Sequence, residues 1–384
     1  MTWMGKAFAM VFFAVLPAAA ELDRRLKLEG VADEILVSLP RNHKEGGQYP
    51  AIFFYHGTGG RPQVSLIRGH AGEQDWIVVG MAYVKRGLLT LTPTGMDAEQ
   101  KVFREVRDQL AKKVGLDPKR VYVSGFSKGG WMSGLLLQKE KGVAGAAILG
   151  AGHRHRVQGV PRVLPDDTPV FIGVGRLDRN YPFSLKAHRF FSGSGAKVEM
   201  ETWHELDHAF PDWGSPGLKE WLALRNDQQP DFAALEEEFA NILALDGFRS
   251  WWELLQFRKR PYVQTSKEWI AKVDAARQKM EQNDEAIARE AKILQLSLRT
   301  LARELEEMTV QDLEKIAAAY ATIVKSGGES PQVKTAKRDH QRVRAILDSA
   351  RQQMEEAEKR RREIEIENQQ EKQQRGIGGN PLVR

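Results

Sequence analysis

Between Arg120 and Met132 the chain reads Arg-Val-Tyr-Val-Ser-Gly-Phe-Ser-Lys-Gly-Gly-Trp-Met, a β-type run that passes through G-x-S-x-G straight into a helix pattern. Few backbones accept that order. A strand that becomes a helix within one residue strains the residue at the bend, here Ser127, and crowds its neighbours. Gly125 and Gly129 stand where side chains would collide in so tight a turn. The serine hydroxyl is then exposed at the strand end, beside the positive end of the following helix. The plain alternative is a glycine-rich turn with an incidental serine. The strand-to-helix setting favours a nucleophile.

The surrounding sequence supplies the sheet such a turn requires. Short apolar runs alternate with amphipathic stretches from Glu34 to Thr202, the signature of β and α elements in turn. Candidate strands are Glu34–Leu39, Ala51–Tyr55, Trp76–Met81, Arg120–Ser124, Ala144–Leu149, Pro169–Val174 and Lys197–Trp203. Several are apolar on both faces, which suits a mostly parallel sheet covered by helices on each side. Met96–Val114, Lys128–Lys139, Phe183–Phe191 and Gly217–Leu224 are the expected covering helices.

Chemistry at Ser127 needs oxyanion donors, a base and an acid. The strand ending at Tyr55 runs into His56-Gly57-Thr58-Gly59-Gly60, a glycine-rich loop suited to present the backbone N–H of Gly57 or Thr58. The second donor is the N–H of Lys128, directly after the nucleophile. His56 lies too early in the chain for a base in this order and reads as structural. Asp178, in the loop after Pro169–Val174, is the candidate acid, with a helix-capping turn aspartate as its alternative reading. Asp166 and Asp167 precede that strand and fall at the wrong end of the sheet. Two histidines follow the last strand. His208 is preferred as the base, because it lies in the loop beyond the strand, while His204 continues the strand itself. His204, Asp207 and His208 could also ligate a metal, but no second ligand cluster accompanies them. His153 and His155 likewise lack partners and read as a polar loop.

Strand–HGTGG, strand–GFSKGGWM, strand–GRLDRNYP and strand–ELDHAFP, in this order, resemble the α/β-hydrolase superfamily. Within it the chain is most similar to the secreted poly(3-hydroxybutyrate) depolymerase and feruloyl/acetyl-xylan esterase group, over about Glu34 to Leu224. The resemblance implies Ser127 as nucleophile, His208 as base and Asp178 as orienting acid, with no cofactor and no metal. It implies an ester substrate, polymeric or glycan-linked. The chain departs from that group in having no disulfide, no substrate-binding module and no obvious lid insertion between Ser127 and Asp178. A serine peptidase with the same order of residues, or a silent hydrolase fold whose helical tail binds a partner, are the competing readings.

Composition narrows the chemistry further. There is no cysteine, which excludes disulfides, a thiol nucleophile, Cys-ligated zinc, iron–sulfur clusters and a lipoprotein thiol. Of the 57 basic and 51 acidic residues, 30 and 24 precede Pro230 and 27 of each follow it, so the net charge of +6 sits wholly in the first part. No basic cluster there marks a nucleic-acid partner. Met1–Ala20 has Lys6, an apolar stretch from Ala7 to Leu16, Pro17 and a run of alanines, which fits a secretory signal peptide with Glu21 as the mature start. The apolar stretch is too short to span a bilayer. The expected location is secreted or periplasmic.

After Gln229, strand signals vanish and helical periodicity runs from Phe232 to Gln374, with a frayed tail after about residue 375. The expected organisation is residues 1–20 signal peptide, 21–229 hydrolase domain and 230–384 helical region, the last dispensable for chemistry and open to a protein partner or self-association. Pro261, Val263, Thr265 and Lys267 recur as Pro331, Val333, Thr335 and Lys337, which raises helical-hairpin repeats against an irregular bundle or coiled segment. The run Lys359–Arg362 lies among six nearby glutamates and reads as a solvated helix face. Trp251, Trp252, Leu254, Leu255 and Phe257 form a dense apolar patch that packs within this region, against the hydrolase part or on a partner.

Overall fold

The computed structural model describes residues 23–27, 31, 33–84, 93–153, 163–203, 206–301, 308–326 and 331–377. The expected signal peptide, His155 and His204 lie outside the described residues. Eight strands form one sheet: β1 Asp23–Leu26, β2 Ile35–Ser38, β3 Tyr49–Tyr55, β4 Ile77–Met81, β5 Leu116–Phe126, β6 Gly145–Leu149, β7 Thr168–Gly175 and β8 Ala196–Trp203. Their order is β1-β2-β4-β3-β5-β6-β7-β8. β1 and β2 pair antiparallel, as do β2 and β4, and every later pairing is parallel. This order, with a strand–serine–helix turn at the end of the central strand β5, is the α/β-hydrolase fold.

The two-sided apolar strands explain the layers. On β3, Ala51, Phe53 and Tyr55 face one core while Ile52 and Phe54 face the other. The first core takes α2 Pro93–Val114, α3 Lys128–Lys139 and α4 Tyr181–Gly193 through Phe103, Leu136, Leu185 and Phe191. The second takes α1 Ser65–Ala71 and α5 Pro216–Leu224, where Ile67, Leu218, Trp221 and Leu222 are buried. Seven strands and four helices appear where the sequence places them. Two elements were not foreseen. β1 reads Asp-Arg-Arg-Leu and is an edge strand defined only by its ladder to β2. α1 buries a single apolar residue, Ile67, and so has almost no periodicity to read.

The remainder is helical: α6 Phe232–Leu243, α7 Gly247–Arg258, α8 Pro261–Gln264, α9 Lys267–Asn283, α10 Glu285–Leu301, α11 Val310–Ser326 and α12 Pro331–Ile377. Local chemistry sets several starts. The Asp231 carboxylate accepts from the N–H of Ala233 and Ala234 at the head of α6, and the Ser266 hydroxyl from the N–H of Trp269 at the head of α9. The aromatic patch is buried inside this region: Leu254 and Phe257 pack with Leu235, Phe239 and Trp269, and Trp251, Trp252 and Leu255 with Ile287, Ala291 and Leu294. The two related segments fold differently. Residues 261–267 contain the four-residue helix α8, a break and a new helix start, whereas 331–337 lie within one continuous helix. From α11 and α12, Leu313, Tyr320, Val333, Ala336, Val343 and Leu347 belong to the same buried cluster as the sheet and α2–α4. The helical region therefore shares a core with the sheet. The charged stretch of α12 from residue 351 to 366 is solvent-exposed and carries Arg361–Glu365 at 3.4 Å and Arg360–Glu356 at 3.9 Å.

Candidate active site

Ser127 is the residue between β5 and α3, with φ 56° and ψ −118°. Among the described residues only three non-glycine positions have positive φ, and this one sits at the end of the central strand. Such a backbone costs on the order of 1–3 kcal/mol and must be held by its surroundings. Here the Ser127 N–H donates to Leu149 O at 2.8 Å, and its carbonyl accepts from the Trp131 N–H at 3.2 Å. The glycines are needed for close approach. A Cβ on Gly125 would lie 2.3 Å from the Gly129 carbonyl carbon, and one on Gly129 would lie 1.8 Å from Tyr55 O.

His208 and Asp178 arrive from the loops after β8 and β7. His208 Nε2 is 2.7 Å from Ser127 Oγ, and His208 Nδ1 is 2.7 Å from Asp178 Oδ2. The carboxylate on one side fixes the tautomer: Nδ1 donates to Asp178, leaving Nε2 to accept from the serine hydroxyl. The side chain of Asp178 is only 1% exposed, against 27% for His208, so the carboxylate is sealed while the imidazole reaches the surface. The two loops are tied to each other. Arg176 N–H donates to Trp203 O and Leu177 N–H to Leu206 O, both at 2.8 Å. A Cβ on Gly175 would fall 2.4 Å from the carbonyl oxygens of Leu206 and Asp207, so a glycine permits this contact. Asp178 Oδ1 accepts from the Asn180 N–H at 2.8 Å, and Asn180 Nδ2 donates to Gly150 O at 2.9 Å, pinning the acid loop to the end of β6. The ring of Phe126 lies 5.2 Å from that of His208.

The glycine-rich loop after β3 stands against the bend. A Cβ on Gly57 would be 3.4 Å from Ser127 Cβ, which sets the start of the loop directly beside the serine. His56 is buried and its Nδ1 lies 2.8 Å from Gly57 O, with burial lowering its pKa. It braces the loop, as the sequence suggests. Sequence reasoning missed the group behind it. Tyr83 donates its hydroxyl to His56 O at 2.7 Å, and the Lys128 ammonium lies 4.9 Å from the Tyr83 ring centre. Glu99 of α2 is 4% exposed; its Oε1 accepts from the Val84 N–H at 3.0 Å while Oε2 has no hydrogen bond. Burial pushes Glu99 up to about 7, against the opposing pull of the Val84 N–H and of Lys128. In the sequence Glu99 is one more polar residue on an amphipathic helix, so nothing marks it.

Of the other candidates, His155 and His204 lie outside the described residues. Among the described residues no group of three or more potential ligands could hold a metal ion. His153 is buried and stacks on Phe190 at 3.7 Å. No helix among the described residues is long and apolar enough to cross a membrane.

No protein-family model matches the sequence, and no curated protein matches it. Solved structures show partial likeness. A phospholipase/carboxylesterase from Dyadobacter fermentans is 16% identical, with 51% of this chain and 96% of that one covered at a TM-score of 0.39. A ferulic acid esterase from the anaerobic fungus Anaeromyces mucronatus is 13% identical, covering 53% and 88% at 0.39. An α/β hydrolase from the metagenome of Lake Arreo, Spain, is 19% identical, covering 56% and 84% at 0.41. At such values the fold rests on this chain's own strand order and strained serine, and the likenesses add no weight.

Proposed function

We propose that the chain is a serine hydrolase of carboxylic esters, with Ser127 as nucleophile, His208 as general base and Asp178 as the acid that orients it. One observation carries this reading: the unbroken hydrogen-bonded line from Ser127 Oγ through His208 to the sealed carboxylate of Asp178, built on a serine in a strained backbone. An esterase uses such a line in a definite way. As Ser127 Oγ bonds to the ester carbonyl carbon, His208 Nε2 takes the hydroxyl proton and Asp178 stabilises the imidazolium. The negative charge that develops on the carbonyl oxygen is met by backbone N–H groups, that of Lys128 and that of Gly57 or Thr58. The imidazolium then protonates the departing alcohol, and water activated by the same base releases the acid.

The exported location and a polymeric or glycan-linked ester are part of the same reading, supported by the first 20 residues and by the motif order. A fluorophosphonate probe tests it directly. Labelling at Ser127, abolished by Ser127→Ala, together with turnover of a small aryl ester in preference to an anilide, supports an esterase. Anilide cleavage at comparable rate points instead to a peptidase, and no labelling of the folded protein refutes serine chemistry.

A further inference from the structure

On the flank of the molecule, away from the end of β5, a cavity of about 720 Å³ opens between the edge strand β8, α4 and the end of α7. Its walls are mixed. Leu185, Val198 and Met200 present an apolar side, while His188, Arg258 and Lys259 bring basic groups. Lys259 stands out, because among the described residues its ammonium meets no hydrogen-bond acceptor and no carboxylate. The charges nearest to it are Arg277, Arg258 and Arg176, all of its own sign.

Three of the surrounding carboxylates are already engaged, and Glu199, the one carboxylate of the cavity lining, is without a hydrogen bond. Asp274 holds Arg258 at 2.7 Å and Asp339 holds Arg176 at 3.5 Å, while Glu281 lies 3.3 Å from Arg277. Glu199 borders the cavity, but strand alternation turns it to the opposite sheet face from Val198 and Met200. There its neighbouring charges are Arg225, Lys197 and Glu220. A half-buried cation beside apolar walls, with only like charges near it, gains from a ligand that brings both a negative charge and apolar surface.

We propose that this cavity binds an amphipathic organic anion, its carboxylate seated on Lys259 and its apolar body against Leu185, Val198 and Met200. The site is separate from the serine chemistry and stands whether or not the chain is an esterase. Burial and the neighbouring arginines lower Lys259 to about 8, so at neutral pH it is mostly charged, and an arriving carboxylate raises that value. Binding must then weaken as pH climbs past the free-state value. Of the groups facing Lys259, His188 has its pKa lowered by burial and by the Lys259 charge itself.

The test is calorimetric titration of the full chain with octanoate at pH 7. One saturable equivalent is expected, with acetate and octyltrimethylammonium failing to compete. In Lys259→Met, which keeps an apolar stem of similar reach, affinity falls at least tenfold, and Lys259→Arg restores most of it. Between pH 7 and 9.5 affinity for the parent protein drops roughly thirtyfold, and the methionine variant shows no such slope. Equal affinity in Lys259→Met, absence of saturable binding, or equal binding of the cationic analogue overturns the proposal. Should the methionine variant fail to fold, the parent's pH profile decides: a flat affinity across that interval refutes the site.

Discussion

Replacing Asp339 by alanine strikes the contact between the helical region and the acid loop. Asp339 of α12 and Arg176, two residues before Asp178, are 3.5 Å apart with side chains 9% and 8% exposed. Beside them Arg338 donates to Leu177 O. Removing the carboxylate strands a buried guanidinium, which typically costs 3–5 kcal/mol. Arg176 also lies 4.5 Å from the Tyr181 ring centre, a contact that survives and offsets about 1–2 kcal/mol. The net loss is therefore about 1–4 kcal/mol in urea unfolding. Because Leu177 and Asp178 follow directly, the loop is expected to loosen and the fluorophosphonate labelling rate to fall about tenfold, some 1.4 kcal/mol of transition-state stabilisation. Combining Asp339→Leu with Arg176→Met removes both charges and should recover most of the stability. If Asp339→Ala unfolds within about 0.5 kcal/mol of the parent and labels at the parental rate, the ion pair holds nothing and the reasoning fails.

Three further outcomes follow from the geometry. Ser127→Ala is expected to lower kcat for an aryl ester by several orders of magnitude with an unchanged unfolding curve, and His208→Ala to be similarly severe; full turnover in either variant contradicts the assigned roles. Glu99 is raised from 4.5 to about 7, so the folded protein keeps a proton that the unfolded chain has lost. Its contribution is present below pH 4.5 and is lost as pH rises through 7, amounting to roughly 3 kcal/mol; urea unfolding of Glu99→Gln at pH 5 and 7.5 should lack most of that decline. A chain ended after Gln229 uncovers the face where Leu313, Tyr320, Val333 and Val343 pack and removes Asp339. It is expected to be poorly soluble and slow to label, and a folded truncation that labels at the parental rate would make the helices dispensable.

The site was legible because tight geometry leaves few residue choices. Gly125, Ser127 and Gly129 announce the bend, and the spacing of strands then brings Asp178 and His208 to the same sheet end. What the sequence hid are contacts between distant segments whose residues are ordinary where they stand. Asp339 and Arg338 sit among the charges of a long polar helix. Only the fold carries them to the acid loop, 161 positions away for Arg338 and Leu177. The same holds for Glu99, Tyr83 and Lys128, assembled from a helix, a strand end and the bend itself. Balanced charge after Gln229 suggested a self-contained region, and α11 and α12 show why that cue misleads. Their apolar stripes are short, yet the surface they cover is part of the sheet's own helical layer.

Helix α12 is 47 residues long, roughly 70 Å at 1.5 Å per residue, and its two halves live under different regimes. Up to about Ala350 its backbone amides are shielded by docking, and their exchange with deuterium requires undocking from the core. From Gln352 to Ile366, beyond the Arg351–Glu314 pair that reaches α11, the side chains are exposed, and the helix persists there on intrinsic propensity and i,i+4 pairs worth a few tenths of a kcal/mol each. One continuous helix should thus show a step in deuterium uptake, slow before Ala350 and fast after it. The position of that step is an internal gauge of how far the helix is clasped, and any molecule that grips the free half would move it toward the C-terminus.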